Sequence, residues 1–293
     1  MNNTIVILNP AAHSDRAKRW RRSVESLARD CTVCASSQAG EAETQSRAAA
    51  EQGFKKIVAA GGDGTINEVV NGLVGSGAML GLLPIGTVNV FAAELGLPCH
   101  DLNLCWDIIA GEETRLIDLP QANQKHFVQL AGVGLDAQVV KETSLALKRN
   151  LGPLSYLIAA AQVAMRKPPR LFIESEDSPI TEGSLVLIGN GRRYGGPFPF
   201  FKQAQMDDGL LDVVAFKQLG YLEIMKYLQD VFFSSEIRVP EVEYFQTRRL
   251  RISSGDQSVP VELDGELVGN CPVEFKLSGR RLRVLAPAGS GAA

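Results

Sequence analysis

Over roughly its first 110 residues the chain alternates short β-branched runs with helical patterns, and nothing else in it constrains the fold as strongly. Residues 4–8 are a Thr-Ile-Val-Ile-Leu run that stops at Asn9-Pro10. Ala17, Trp20, Val24 and Leu27 then recur at helical spacing, with Ser14 in place to cap that helix. A second strand at 31–35 precedes a helix-favouring stretch at 41–52, which Gly53 can close. A third strand at 56–60 runs into Gly61-Gly62-Asp63-Gly64-Thr65 and a helix carrying Ile66, Val69, Val70 and Leu73. A fourth, 80–83, ends in Pro84-Ile85-Gly86-Thr87. This order predicts a doubly wound parallel sheet with helices on both faces. Ligands of such sheets sit beyond the carboxyl ends of the strands. Asn9-Pro10, loop 61–65 and loop 86–89 all leave strand ends, so three separate stretches converge on one rim.

Near Ile117-Asp118-Leu119-Pro120 the character changes. Strand-like runs follow at 127–130, 171–174, 185–188, 211–216, 249–252, 259–263, 272–277 and 281–285, mostly parted by turn residues. This pattern predicts a β-sandwich or barrel. Two helical inserts interrupt it, at 153–167 and at 221–232, the latter with Leu222, Met225, Leu228 and Phe232 along one face. The expected division is an α/β domain at 1–119, a sandwich domain at 120–288 and a flexible tail at 289–293.

Composition excludes several classes. A net charge of −3 gives no global attraction to nucleic acid. Five cysteines, an odd number in a 293-residue chain, do not form a disulfide framework. Cys31 and Cys34 make one CxxC in a predicted strand, with no second pair to complete a zinc site. The start lacks a basic segment and a long apolar segment, so it does not read as a signal peptide. The most apolar stretch, 151–165, holds Gly152, Pro153 and Gln162 and is too short and broken to span a bilayer. The expectation is a cytoplasmic protein whose membrane contact is peripheral.

The sharpest chemical signal is Gly61-Gly62-Asp63-Gly64-Thr65. Glycines let backbone approach a phosphate, and the following helix offers free N–H groups to an anion. A carboxylate there suits phosphoryl transfer, to hold a metal or orient a nucleophile. It equally suits a tight turn in which Asp63 caps the helix. No Gly-Lys-Ser/Thr follows, so this is not a Walker A loop.

Extended by Ile66-Asn67-Glu68-Val69-Val70-Asn71-Gly72-Leu73, the motif resembles the catalytic domain shared by diacylglycerol, sphingosine and ceramide kinases and small bacterial lipid kinases. NAD kinases carry this core more distantly. Further stretches match in order. They are Asn9-Pro10, Pro84-Ile85-Gly86-Thr87-Val88-Asn89, Gly132-Val133-Gly134-Leu135-Asp136-Ala137, Gly189-Asn190-Gly191 with Gly195-Gly196, Asp207-Asp208-Gly209-Leu210-Leu211-Asp212, and Leu263-Asp264-Gly265-Glu266. The resemblance runs over about residues 4–286. It implies a nucleotide-binding α/β domain and a lipid-binding sandwich with the active site between them. It implies that Asn9, Pro10, Gly61, Gly62, Asp63, Gly64, Thr65, Asn67 and Thr87 hold ATP, with Ser36 where the family has a nucleotide-contacting Thr. It makes Glu266 the proton acceptor and Asp63 the acid near the γ-phosphate. Asp208, with the carbonyls of Gln205 and Leu210, becomes a Mg²⁺ site.

The residues themselves agree with those roles. A lipid hydroxyl is a poor nucleophile, and a placed carboxylate helps remove its proton. Glu266 follows a hairpin-turn pair, Asp264-Gly265, which sets it at a loop edge; an isolated Glu there otherwise reads as solvated. Asp208 reads as a hard oxygen ligand or as part of an Asp-Gly hairpin, and Asp136 as a helix cap or an active-site acid. Leu145, Leu147, Leu151, Tyr156 and Leu157 read as core or as an acyl-chain groove. Arg16, Lys18, Arg19, Arg21 and Arg22 read as a solvated face or as a contact for anionic headgroups. Two positions depart from the family pattern. Val90 stands where Asp is frequent, and the 9–14 loop lacks a glycine and carries His13. The function expected is transfer of the ATP γ-phosphoryl to diacylglycerol. Ceramide, sphingoid bases, other lipids, NAD, or binding without catalysis are the alternatives. A homodimer stays open.

Overall fold

The computed structural model describes residues 3–10, 15–134, 137, 168–176, 180–196, 198–217, 220, 223, 241–255 and 258–287. Ser14, His13, Asp136, the two helical inserts, the proposed acyl-groove leucines and tyrosine, and the tail from 289 lie outside the described residues.

The chain opens with β1 (Thr4–Leu8), α1 (Asp15–Leu27), β2 (Thr32–Ala35), α2 (Glu41–Glu51), β3 (Lys56–Gly61), α3 (Asp63–Leu73) and β4 (Met79–Pro84). Strands β2-β1-β3-β4 pair in that order and all run parallel. Alternate residues of each strand serve opposite cores. Ile5, Ile7, Ile57 and Ala59 pack with Ala42, Ile66, Val69 and Val70 of α2 and α3. Val6, Leu8, Val58 and Ala60 pack with Val24 and with Leu102, Cys105 and Ile109 of a later helix. Strands buried on both faces read as continuous apolar runs, which is why β1 and β3 stand out in the sequence. Helices α2 and α3 meet at Gly72, where a Cβ would fall 1.9 Å from Ser46 Oγ. Glu68 of α3 closes the start of α2 by accepting the N–H groups of Gly40 and Ala42.

After β4 come α4 (Val90–Glu94), α5 (Leu102–Gly111), β5 (Thr114–Ala122), β6 (Lys125–His126) and β7 (Leu130–Val133). The carboxylate of Asp101 starts α5 by accepting the N–H groups of Asn103 and Leu104. Then follow β8 (Leu171–Ser175), β9 (Thr181–Gly183), β10 (Leu185–Gly189), β11 (Arg193–Tyr194), β12 (Phe198–Pro199) and β13 (Leu211–Phe216). The chain closes through β14 (Val242–Thr247), β15 (Arg249–Ser254), β16 (Pro260–Leu263), β17 (Glu266–Asn270) and β18 (Val273–Leu285). A six-stranded sheet in the order β14-β13-β10-β7-β16-β17 faces the β5, β8, β15 and β18 part of the first sheet. Val133, Ile188, Val261 and Leu263 from one layer and Ile173, Leu250, Ile252 and Phe275 from the other fill the space between. The second half is thus a β-sandwich, which decides between the two architectures the strand pattern allows and agrees with the family resemblance.

Three expectations need correction. The strand placed at 127–130 forms at Leu130–Val133, because the N–H groups of Val128 and Gln129 go to a carboxylate rather than a neighbouring strand. The runs 272–277 and 281–285 are one 13-residue strand, bulged between Leu277 and Arg281. That strand does not stay in the sandwich: Val284 pairs in parallel with Leu80 of β4, while Leu250 to Ile252 of β15 pair with its beginning. Antiparallel β5 runs along it from Thr114 to Ala122. One ten-stranded sheet therefore passes through both halves of the molecule.

Candidate active site

The rim predicted from the strand ends exists. Asn9 N donates to Ala60 O, and its side-chain amide donates to Thr65 Oγ1 at 2.9 Å. Gly61 lies so close under Thr65 that a Cβ would meet it at 2.4 Å. Ile85 N donates to Gly61 O, and a Cβ on Gly86 would stand 2.5 Å from Gly62 Cα. Loops 61–65 and 86–89 thus touch backbone to backbone. Asn89, in a left-handed conformation at φ 56°, holds the second loop closed: its side chain accepts from Gly86 N and donates to the carbonyls of Gly86 and Pro84. Gly62 caps α3, so the first-turn N–H groups of that helix open onto this rim.

Asp63 is largely buried, which pushes its carboxyl above the usual range, while backbone N–H groups of residues 89–91 draw it back. Its Oδ1 accepts Phe91 N at 3.3 Å. The acid in the glycine loop therefore also fastens the neighbouring loop at the start of α4. Val90 opens that helix. Thr87 is exposed on the rim beside Val88. Ser36 is buried at the carboxyl end of β2, its N–H given to Leu8 O. Pro10 is half-buried beside Asn9.

The second half brings its acids to the same place. Asp264 and Gly265, at φ 48° and 84°, form the two-residue turn between β16 and β17 that the sequence predicts. Glu266 follows, exposed, at the head of the edge strand β17. A Cβ built on Gly64 would stand 3.0 Å from Glu266 Oε1. A carboxylate 200 residues away thus lies against the glycine loop.

Asn67 binds the second half of the chain. Its amide donates to Asp264 Oδ2 at 2.7 Å and to His126 O at 3.1 Å, and its oxygen accepts from Asn71. Asn71 in turn exchanges hydrogen bonds with the backbone of His126. Glu94 of α4 makes a second tie between the halves, accepting Gln129 Nε2 at 3.1 Å and Arg193 N at 2.9 Å. No motif flags Glu94 or Gln129, and Asn71 lies in the extended glycine motif with no role assigned to it. Only their pairing across the two halves reveals them.

The 205–212 segment sits beside a third group of acids. Asp208 accepts Leu210 N, while Gly209 N donates to Asp118. Asp118 also binds Arg281 at 3.1 Å. Burial, then the charges of Asp118 and Asp207, raise the Asp208 carboxyl. Asp212 is fully buried; its Oδ1 accepts from Tyr244 and Gln246, and its Oδ2 has no hydrogen-bond partner. Among the described residues no three His, Cys, Asp or Glu side chains are grouped as a metal site. One raised carboxylate in a surplus of negative charge, flanked by the carbonyl-bearing residues Gln205 and Leu210, is an oxygen-only set of the kind Mg²⁺ takes.

Comparison with known proteins agrees with this geometry. Residues 3–122 match the diacylglycerol kinase catalytic domain, and residues 129–286 match the YegS C-terminal NAD kinase beta sandwich-like domain. A diacylglycerol kinase of Staphylococcus haemolyticus is 30% identical over 290 residues, covering 96% of this chain and 87% of that protein. One from Bacillus subtilis is 28% identical over 295 residues, covering 98% and 97%. A solved Bacillus anthracis structure described as a diacylglycerol kinase shares the fold, with a TM-score of 0.73 over 97% of both chains at 21% identity. No helix among the described residues is long and apolar enough to cross a membrane. With both domains matched and the glycine loop facing an acid across the cleft, the chain belongs to the diacylglycerol kinase family of ATP-dependent lipid kinases.

Proposed function

We propose that the protein transfers the γ-phosphoryl of ATP to the free hydroxyl of diacylglycerol, giving phosphatidic acid. The observation that carries this reading is Glu266 beside Gly64. The triphosphate lies on the first turn of α3 and on loops 61–65 and 86–89, where backbone N–H groups meet anionic oxygens. Glu266 accepts the hydroxyl proton as the oxygen attacks the γ-phosphorus, and the bond to the bridging oxygen of ADP breaks on the opposite side. Asp63 keeps loop 86–89 seated and adds its charge close to the transferred group. Asp208, with the carbonyls of Gln205 and Leu210, would hold Mg²⁺, which would supply positive charge among the acids Asp118 and Asp207. Contact with an anionic bilayer is peripheral and involves the basic helix α1, on which Arg21 and Arg22 are exposed.

Label transfer from γ-labelled ATP in mixed micelles tests the substrate. Separate arms hold diacylglycerol, monoacylglycerol, ceramide, a sphingoid base, phosphatidylglycerol and NAD. The expected result is labelled phosphatidic acid at the highest rate. A faster product in another arm replaces diacylglycerol as the acceptor, and no labelled product in any arm refutes the reading.

A further inference from the structure

We propose that Asp264 is a positioning residue that aims Glu266 at the reacting hydroxyl, and that Asn67 is its anchor on the nucleotide side of the cleft. The proposal rests on the reading in which Glu266 takes the proton. Glu266 begins β17, a strand exposed along its whole length and, among the described residues, paired only with β16. Among the described residues, no hydrogen bond on the outer side of that strand fixes where Glu266 points. Its placement falls to the turn just before it.

That turn is held from several directions. The Asp264 carboxylate accepts three successive backbone N–H groups, from Val128 at 2.9 Å, Gln129 at 2.9 Å and Leu130 at 3.0 Å. Asn67 Nδ2 adds a fourth bond at 2.7 Å. The backbone N–H of Asp264 donates to Leu130 O, and Glu262 accepts Gly265 N at 2.7 Å. Asp264 itself sits at φ 48°, a region a non-glycine residue enters at a cost and keeps only where its surroundings hold it. The two acids of Asp-Gly-Glu therefore divide the work. The buried one takes four donors and orders the turn. The exposed one is left to meet the substrate.

The partner on the other bank is in register. Gly64 and Asn67 are three residues apart on α3, hence neighbours on one helix face. Glu266 meets Gly64 and Asp264 meets Asn67. The turn thus lies along one turn of the helix, and the second contact sets the first. Asn67 has no amide hydrogen left to donate to a phosphate: both go to Asp264 and His126, while its oxygen accepts from Asn71. An asparagine at 264 would turn an N–H₂ group toward donors that need an acceptor. The turn would then shift, and displacement of a reacting group by about 1 Å can cost on the order of a hundredfold in rate.

The test is a kinetic cycle on the full-length protein with ATP and diacylglycerol micelles, comparing wild type, Asp264→Asn, Asn67→Ala, Glu266→Gln and Asp264→Asn/Glu266→Gln. Asp264→Asn is expected to lower kcat about thirtyfold with the KM for ATP within twofold of wild type. Because Asp264 acts through Glu266, the double variant is expected to be no slower than Glu266→Gln alone. Asn67→Ala removes one of four bonds and lowers kcat about threefold, again without raising the KM for ATP. It carries the test if Asp264→Asn fails to give the circular-dichroism spectrum of the wild type. Normal kcat in Asp264→Asn, additive losses in the double variant, or a raised KM for ATP in Asn67→Ala overturns the proposal while leaving Glu266 in its role. If Glu266→Gln turns over normally, or wild type phosphorylates no lipid, the underlying reading falls and takes the proposal with it.

Discussion

The two banks of the cleft are built on opposite plans. On the bank proposed for the nucleotide, side chains are spent on construction and backbone is left at the rim. Asn9 binds Thr65, Asn89 closes its own loop, Asp63 holds Phe91, Gly61 makes room for the Thr65 side chain, and glycines at 62 and 86 allow backbone to lie on backbone. On the acceptor bank, backbone is spent on construction and a side chain is left facing the ligand. The N–H groups of residues 128–130 are given to Asp264, and Glu266 stays exposed. A phosphate needs many fixed dipoles that carry no net charge of their own, whereas a proton needs one movable acceptor. The contrast follows from the two tasks.

The contrast breaks most severely at Glu266. Glutamine there keeps shape and loses basicity, so kcat should fall at least about a hundredfold while the melting temperature stays within a few degrees. Next in size is the glycine bank. Gly86→Ala drives a Cβ onto Gly62 Cα at 2.5 Å and must part the two loops. It should raise the KM for ATP about tenfold and cost about 1–3 kcal/mol in denaturant unfolding. Gly77→Ala, with nothing within 4 Å, should change neither. Glu94→Gln weakens the second tie between the halves. Its side chain is 9% exposed and accepts from Gln129 and Arg193, so about 1–3 kcal/mol should be lost in the same unfolding experiment.

The smallest effect concerns His126, which lies beneath the first tie. Burial holds its imidazole below the ordinary histidine value. The unfolded chain therefore binds the proton more readily than the folded one. The stability this group contributes is complete above the unfolded value near 6.5 and declines as pH falls below it. Urea midpoints at pH 7.5 and pH 5.5 should show that decline, and His126→Gln should flatten it.

What the sequence discloses depends on the distance over which each feature is determined. Strands β1, β3 and β13 are mostly apolar and buried on both faces, broken only by Thr4, Lys56 and Asp212, and can be read residue by residue. The glycine loops are equally legible, since close approach permits no other residue at Gly61 or Gly86. Helix α5 carries its cap at Asp101, yet its predominantly apolar Leu-Asn-Leu-Cys-Trp stretch gives no clean helical stripe. Strand β17 is exposed throughout and interrupted by Gly269, so no alternation marks it. The path of β18 into the first sheet rests on its pairing with β4, some 200 residues earlier, and leaves no local trace. The site shows the same limit. In Asp264-Gly265-Glu266 the family resemblance singles out Glu266 but gives Asp264 no task; the four donors on Asp264 appear only when α3 and the 128–130 segment close around the turn.

The most direct trial of the whole account is the initial rate of label transfer from γ-labelled ATP to diacylglycerol by wild-type protein and by Glu266→Gln, each at saturating ATP. Labelled phosphatidic acid from the first and at least about a hundredfold less from the second is the predicted pair of results. Equal rates from the two proteins would contradict a carboxylate acting across the cleft.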